Sequence, residues 1–171
     1  MSTFVIRGSS VIDGSDRPAV KGDIQVIDGV IANVGEILKG DERGKVIDGS
    51  ELTITPGFID LHAHSDLAVL ADHEHLAKVT QGVTLEVVGQ DGLSYAPTNE
   101  QTQQEIRAQL FGWNGNPTNM DWNFKSIAEY LTCVDKGAAV NVAYLIPHGN
   151  IRMLIKGNEP GIAKATELTA M

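Results

Sequence analysis

The chain has one cysteine, Cys133, in 171 residues. No disulfide can form within it, and nothing in it demands an oxidising compartment. It has no excess of basic residues: 13 Lys and Arg stand against 22 Asp and Glu, a net charge of -9. That balance argues against the phosphate backbone of a nucleic acid or an anionic membrane surface as partner, and it leaves the substrate open. No apolar run approaches the ~20 residues of a membrane span. Residues 1–7 lack the charged lead and long apolar stretch of a signal peptide, so a cytoplasmic location is the default expectation. There is no low-complexity tract. The hydrophobic content is 42%, which permits a real core and excludes a disordered chain. The length suits one ordinary domain.

The stretch that organises the chain is residues 55–66, Thr-Pro-Gly-Phe-Ile-Asp-Leu-His-Ala-His-Ser-Asp. Read as a β-strand, it places Asp60, His62, His64 and Asp66 on one face and Ile59, Leu61 and Ala63 on the other. Pro56-Gly57 marks a turn before it. Two imidazoles at i and i+2 on an extended segment sit side by side and can hold one cation. On a helix they point nearly opposite ways. A bare H-x-H is a weak signal, and two strand-end histidines can simply be hydrogen-bonded. Flanking carboxylates and an apolar strand favour a metal site, because neutral imidazole is a preferred ligand of zinc and similar ions.

Before this stretch, residues 4–55 read as short strands and turns without site chemistry. Phe4-Val5-Ile6 and Val11-Ile12 are expected as separate strands flanking Gly8-Ser9-Ser10. Asp28-Gly29 between two β-rich runs is a strong hairpin signal. The charged run 39–45 reads as an exposed loop. From Thr55 on, strands alternate with helices, which predicts βα units around a parallel sheet. A helix is expected over 72–81, stopped by Gly82. His73 and His75 lie in that polar helical stretch and are expected at the surface. A strand follows over 83–88, then the turn Gly89-Gln90-Asp91-Gly92. A helix is expected over 98–110 and a loop over 112–117. Ile127, Tyr130, Leu131 and Val134 recur at i, i+3, i+4 and i+7 after Ser126, the pattern of an amphipathic helix. Cys133 within it is expected to be a small buried or edge residue. Residues 139–146 form a third strand, leading into Pro147-His148-Gly149-Asn150. Pro160 opens a last helix that runs to Met171 without a C-cap, as in a fragment of a longer chain.

In a parallel barrel the C-terminal strand ends converge on one rim. The three ends here carry His62 and His64, then Asp91, then His148. Read from the turn alone, Asp91 can be a residue chosen for local hydrogen bonding; its candidacy as a metal ligand comes with a family resemblance. Glu86 lies inside its strand and is expected further from the histidines. Asp60 is expected to accept a hydrogen bond that orients a ligand. Asp66 and His148 are candidate pocket residues, although a strand-end or capping carboxylate and a hydrogen-bonded loop histidine are equally ordinary roles.

Residues 56–66 resemble the first-strand motif of the amidohydrolase superfamily, and within it the chain is most similar to the N-acyl-D-amino-acid deacylases (D-aminoacylases). The resemblance covers the whole chain, and that family's proteins are much longer. It implies an α/β protein: part of a small β-sandwich over 1–55, then over 56–171 the first three βα units of a (β/α)8 barrel, whose full length is typically ~250 residues. It implies one or two zinc ions at the barrel mouth. After strand two the family usually presents a bridging cysteine in a Gly-Asn-Cys-Gly setting. Here Asp91 takes that place, with a harder anionic oxygen. The segment from Pro147 to Arg152 resembles the one after the family's third strand, and so assigns His148 to the substrate pocket. The implied reaction is metal-assisted hydrolysis of the linear amide of an N-acyl-D-amino acid, a small-molecule substrate. The further metal histidines and the catalytic aspartate lie on later strands of the family, so the resemblance assigns no catalytic residue to this chain and implies that it is inactive alone. The alternatives are a cyclic amidase of the hydantoinase or dihydroorotase kind, and a non-catalytic metal-binding module such as a cupin-like β-barrel. The expected helices speak against the cupin.

Overall fold

A computed structural model of the protein describes residues 2–118 and 120–171. The chain is mixed α/β and divides into two compact units, Met1–Pro56 and Gly57–Met171.

The first unit is one five-stranded sheet: β1 (Phe4–Val11), β2 (Val20–Ile27), β3 (Val30–Gly35), β4 (Lys45–Asp48) and β5 (Thr53–Ile54). Its order is β3-β2-β1-β4, with β5 also on β1. Asp28-Gly29 makes the β2–β3 hairpin, with φ of 52° and 83°. Positive φ at both central residues is what this dipeptide supplies. One expectation fails. Phe4-Val5-Ile6 and Val11 belong to a single strand, β1, whose antiparallel partner is β2. Gly8, at φ 69°, makes an irregularity within the strand where a turn was expected. This is the use of a left-handed glycine in a bulge. Its N–H donates to Asp23 Oδ1 at 2.8 Å, and Asp23 also accepts from Arg7 at 2.9 Å and Ile37 N–H at 3.1 Å. Val5, Val11, Ile24 and Ile37 form the buried side.

The second unit carries a parallel sheet of β6 (Phe58–Asp60), β7 (Val83–Val88) and β8 (Asn141–Tyr144), in that order. Its helices are α1 (Ala68–Ala71), α2 (Leu76–Val79), α3 (Glu100–Asn114), α4 (Ile127–Val134), α5 (His148–Lys156) and α6 (Ala165–Ala170). Several expectations need correction, among them the loop read over 112–117, whose residues 112–114 belong to α3. The strand read over 55–66 stops at Asp60 within this unit, and the histidines lie beyond it. The helix read over 72–81 shrinks to α2, Leu76–Val79, because Asp72 is extended and His75 left-handed, and α1 lies before it. The segment 147–152 is the start of α5. The last helix begins at Ala165, after Gly161 at φ 96°.

Why α4 forms is plain in its residues. Tyr130 and Val134, four apart, are buried, and Ile127 and Leu131 pack on the same core with Leu67, Tyr95, Ile106 and Phe124. Cys133 is half-buried and free. The Tyr130 hydroxyl donates to the Asp66 carbonyl at 2.8 Å, so the buried phenol is satisfied. Ser126 caps the helix. Its Oγ accepts the Glu129 N–H at 3.2 Å, and Glu129 Oε2 accepts the Ser126 N–H at 2.8 Å. The Ser126 N–H first, then the Lys125 N–H and the Ser126 hydroxyl, all donating to Oε2, hold the Glu129 carboxyl below the usual range. Ser126→Ala is expected to cost about 1 kcal/mol in urea unfolding, the usual worth of such a cap. No change in midpoint would show that packing alone sets where α4 begins. No helix among the described residues is long and apolar enough to cross a membrane.

Candidate metal centre

His62 and His64 follow the end of β6, on a bent segment. Asp91 follows the end of the adjacent strand β7, in a single 3-10 turn over Gln90–Gly92. His64 Nε2 lies 3.2 Å and His62 Nε2 3.6 Å from Asp91 Oδ2. The two imidazole centroids are 5.2 Å apart, with planes at 67°. One donor atom from each of the three residues lies within 4.8 Å of the other two. His62 and Asp91 are exposed and His64 is half-buried. The rings converge through the bend after Asp60, and strand pleating does not account for it.

The turn that carries Asp91 is built on backbone handedness. Gly89, Asp91 and Gly92 have φ of 80°, 57° and 79°. A Cβ at Gly89 would stand 2.2 Å from the Leu145 carbonyl oxygen, so the turn lies tight against the end of β8. The Gln90 amide donates to the carbonyls of Leu61 at 2.9 Å and Val87 at 2.8 Å, joining the turn to the segment before His62.

Asp66 joins the same two segments from the other side. Its Oδ1 accepts the Gly89 N–H at 3.0 Å and the Ser94 hydroxyl. Only 3% exposed, Asp66 braces the two segments, in keeping with the strand-end role the sequence also allowed. Burial pushes its carboxyl above the usual range, against the Ser94 hydroxyl and backbone N–H groups that pull it down. Asp60 accepts the His62 N–H on Oδ1 at 3.1 Å and the Lys78 ammonium on Oδ2 at 2.5 Å. It therefore orients the backbone of His62 and does not touch the ring. Lys78 first, and the His62 N–H second, hold its carboxyl below the usual range. His148 is exposed on the first turn of α5, outside the three-donor group.

His75 departs most from expectation. It is 5% exposed, and its Nε2 lies 2.9 Å from Glu86 Oε2. The break between α1 and α2 turns its ring inward, where an unbroken helix would have left it outside. His73 is exposed, as read. Glu86 itself carried the missed signal, since a carboxylate within a β-branched strand must find donors when buried. Trp113, on the last turn of α3, also escaped the sequence reading. Its ring lies 4.9 Å from that of His64.

Two imidazoles and a carboxylate at this spacing fit a divalent ion of the zinc type. A parallel sheet with such donors at adjacent strand ends has the layout of a metal-dependent hydrolase. The chain belongs to the amidohydrolase family, whose profile matches residues 45–171. Over 98% of its length it is 35% identical to an N-acyl-D-aspartate deacylase and 31% identical to a D-aminoacylase, both of Alcaligenes xylosoxydans xylosoxydans. It covers 32% and 34% of those proteins, so the chain spans about a third of the length of these curated relatives. The crystal structure of N-acyl-D-glutamate deacylase from Bordetella bronchiseptica, complexed with zinc and a phosphonate inhibitor, is similar with a TM-score of 0.79. The identity is 30%, over 98% of this chain and 34% of that one.

Proposed function

We propose that the chain forms the metal-bearing front part of an N-acyl-D-amino-acid deacylase, which hydrolyses the linear amide C–N bond to a carboxylate and a D-amino acid. The observation that carries this reading is the approach of His62, His64 and Asp91 donor atoms to within 4.8 Å at the ends of adjacent parallel strands. The consecutive order β6-β7-β8 supports reading 56–171 as the first three βα units of a (β/α)8 barrel. The all-β unit before it supports reading 1–55 as part of a small β-sandwich. Two of the relatives named above are deacylases of N-acyl-D-amino acids with acidic side chains, and one of them was crystallised with zinc.

In this reading His62, His64 and Asp91 hold zinc. When bound there, the ion lowers the pKa of a water toward ~7 and polarises a carbonyl. The chain supplies the rest of the environment it can offer. His62 and His64 give neutral donors, and Asp91 balances part of the charge. Trp113 sets an apolar ring beside His64. No residue of this chain is assigned as the general base. The test is an assay of the longest natural polypeptide carrying this sequence on N-acetyl-D-aspartate, N-acetyl-D-glutamate and their L isomers. Release of the D-amino acid, abolished by a chelator and restored by zinc, is expected. Chelator-insensitive turnover, or turnover of cyclic amides alone, overturns the assignment.

A further inference from the structure

Beside the three donors stands a dense polar cluster centred on Glu86, whose side chain is fully buried. Glu86 Oε1 accepts from Ser65 Oγ at 2.9 Å and from Lys78 Nζ at 2.8 Å, and Oε2 faces His75 Nε2 at 2.9 Å. Lys78 is forked. Its second bond goes to Asp60, whose other oxygen accepts the His62 N–H. One ammonium from α2 therefore reaches both flanks of the histidine pair, the residue two before His62 and, through Glu86, the residue after His64. β6 and β7 place Asp60 opposite Glu86 in register, so the fork spans neighbouring strands. His75, at the head of α2, holds a left-handed backbone at φ 44°. Residues with a Cβ populate that region sparsely and keep it only where the surroundings over-determine it. The Glu86 contact is such a constraint.

Stability alone does not explain an ammonium here. A buried ion pair is often no more stabilising than apolar groups of the same volume, and the methylene stem of a lysine packs as well without its charge. Orientation of the 60–65 segment does explain it. We infer that Lys78 is a positioning residue of the metal centre: by bridging Asp60 and Glu86 it clamps the bend after β6 so that the Nε2 atoms of His62 and His64 converge on Asp91. This inference rests on the metal-site reading above.

The test uses the longest natural polypeptide carrying this sequence, with zinc affinity read by chelator competition and ligand geometry by the visible spectrum of the cobalt-loaded protein. Lys78→Met is expected to keep the near-ultraviolet circular dichroism of the parent, to bind zinc about 10–100-fold more weakly, and to shift the cobalt bands. Lys78→Arg, which can span two carboxylates, is expected to recover most of the loss. Lys136→Met, at an exposed lysine just after α4, is expected to change neither readout. Zinc affinity in Lys78→Met within about twofold of the parent, a margin well under the usual cost of losing such a support, overturns the positioning role. So does a loss that Lys78→Arg fails to restore. Should Lys78→Met not fold, Asp60→Asn, which breaks the fork at a partly exposed position, is judged by the same affinity and spectral criteria. A parent that binds no zinc overturns the metal-site reading and this inference with it, whereas zinc held equally by parent and Lys78→Met overturns the inference alone.

Discussion

Glu86→Ala destabilises the unit Gly57–Met171 by about 3–5 kcal/mol, the usual cost of removing one partner from a buried charged pair. Glu86 is fully enclosed and serves a hydroxyl, an ammonium and an imidazole at once. Its deletion strands the His75 ring, which is only 5% exposed, and leaves a void in its place. Lys78 is the partner that suffers least, because Asp60 and solvent remain within its reach. Glu86→Gln keeps the volume and one acceptor but turns an amide N–H₂ toward donors, and it is expected to cost less than Glu86→Ala. Both tryptophans, Trp113 and Trp122, belong to this unit, so urea unfolding followed by their fluorescence reports on it directly. A loss below about 0.5 kcal/mol for Glu86→Ala, the range of an ordinary surface change, would contradict the account of the cluster.

His62→Ala combined with His64→Ala is expected to abolish metal binding at the proposed centre. With both nitrogen donors gone, Asp91 is left as a single exposed carboxylate, and one oxygen does not hold a zinc-type ion against water. Zinc content by plasma mass spectrometry is expected to fall to about one-tenth of the parent value or less. His148→Ala is expected to leave it unchanged, since that ring lies outside the donor group. Unchanged stoichiometry in the double variant, with the fold intact by circular dichroism, would remove the metal from this rim altogether.

Much of this arrangement could be read from the residues, and the part that could not has a common cause. The Asp28-Gly29 hairpin, the amphipathic α4 and its Ser126 cap are local chemistry, decided by neighbours within a few positions. The convergence of His62, His64 and Asp91 needed one further step, the rule that parallel strands end on a common rim. That rule, with the family resemblance that pointed to Asp91, was enough even though β6 stops before the histidines and the chain bends after it. The misses are decided by distant partners. His75 sits in a polar run, and only Glu86, 11 residues on, turns it inward. Asp66 looked like a rim carboxylate until Gly89 and Ser94 claimed it. Gly8 looked like a turn because nothing beside it in the sequence reveals that Asp23 waits to receive its N–H.

The three donors belong to two stretches of chain, one after β6 and one after β7. A cation seated among them, as proposed, would therefore tie the two stretches together. An ion that binds only the folded form shifts the folding equilibrium by mass action, so under the proposed reading metal supply and structural integrity would share one thermodynamic balance, and withdrawing zinc would loosen the rim that carries His62, His64 and Asp91.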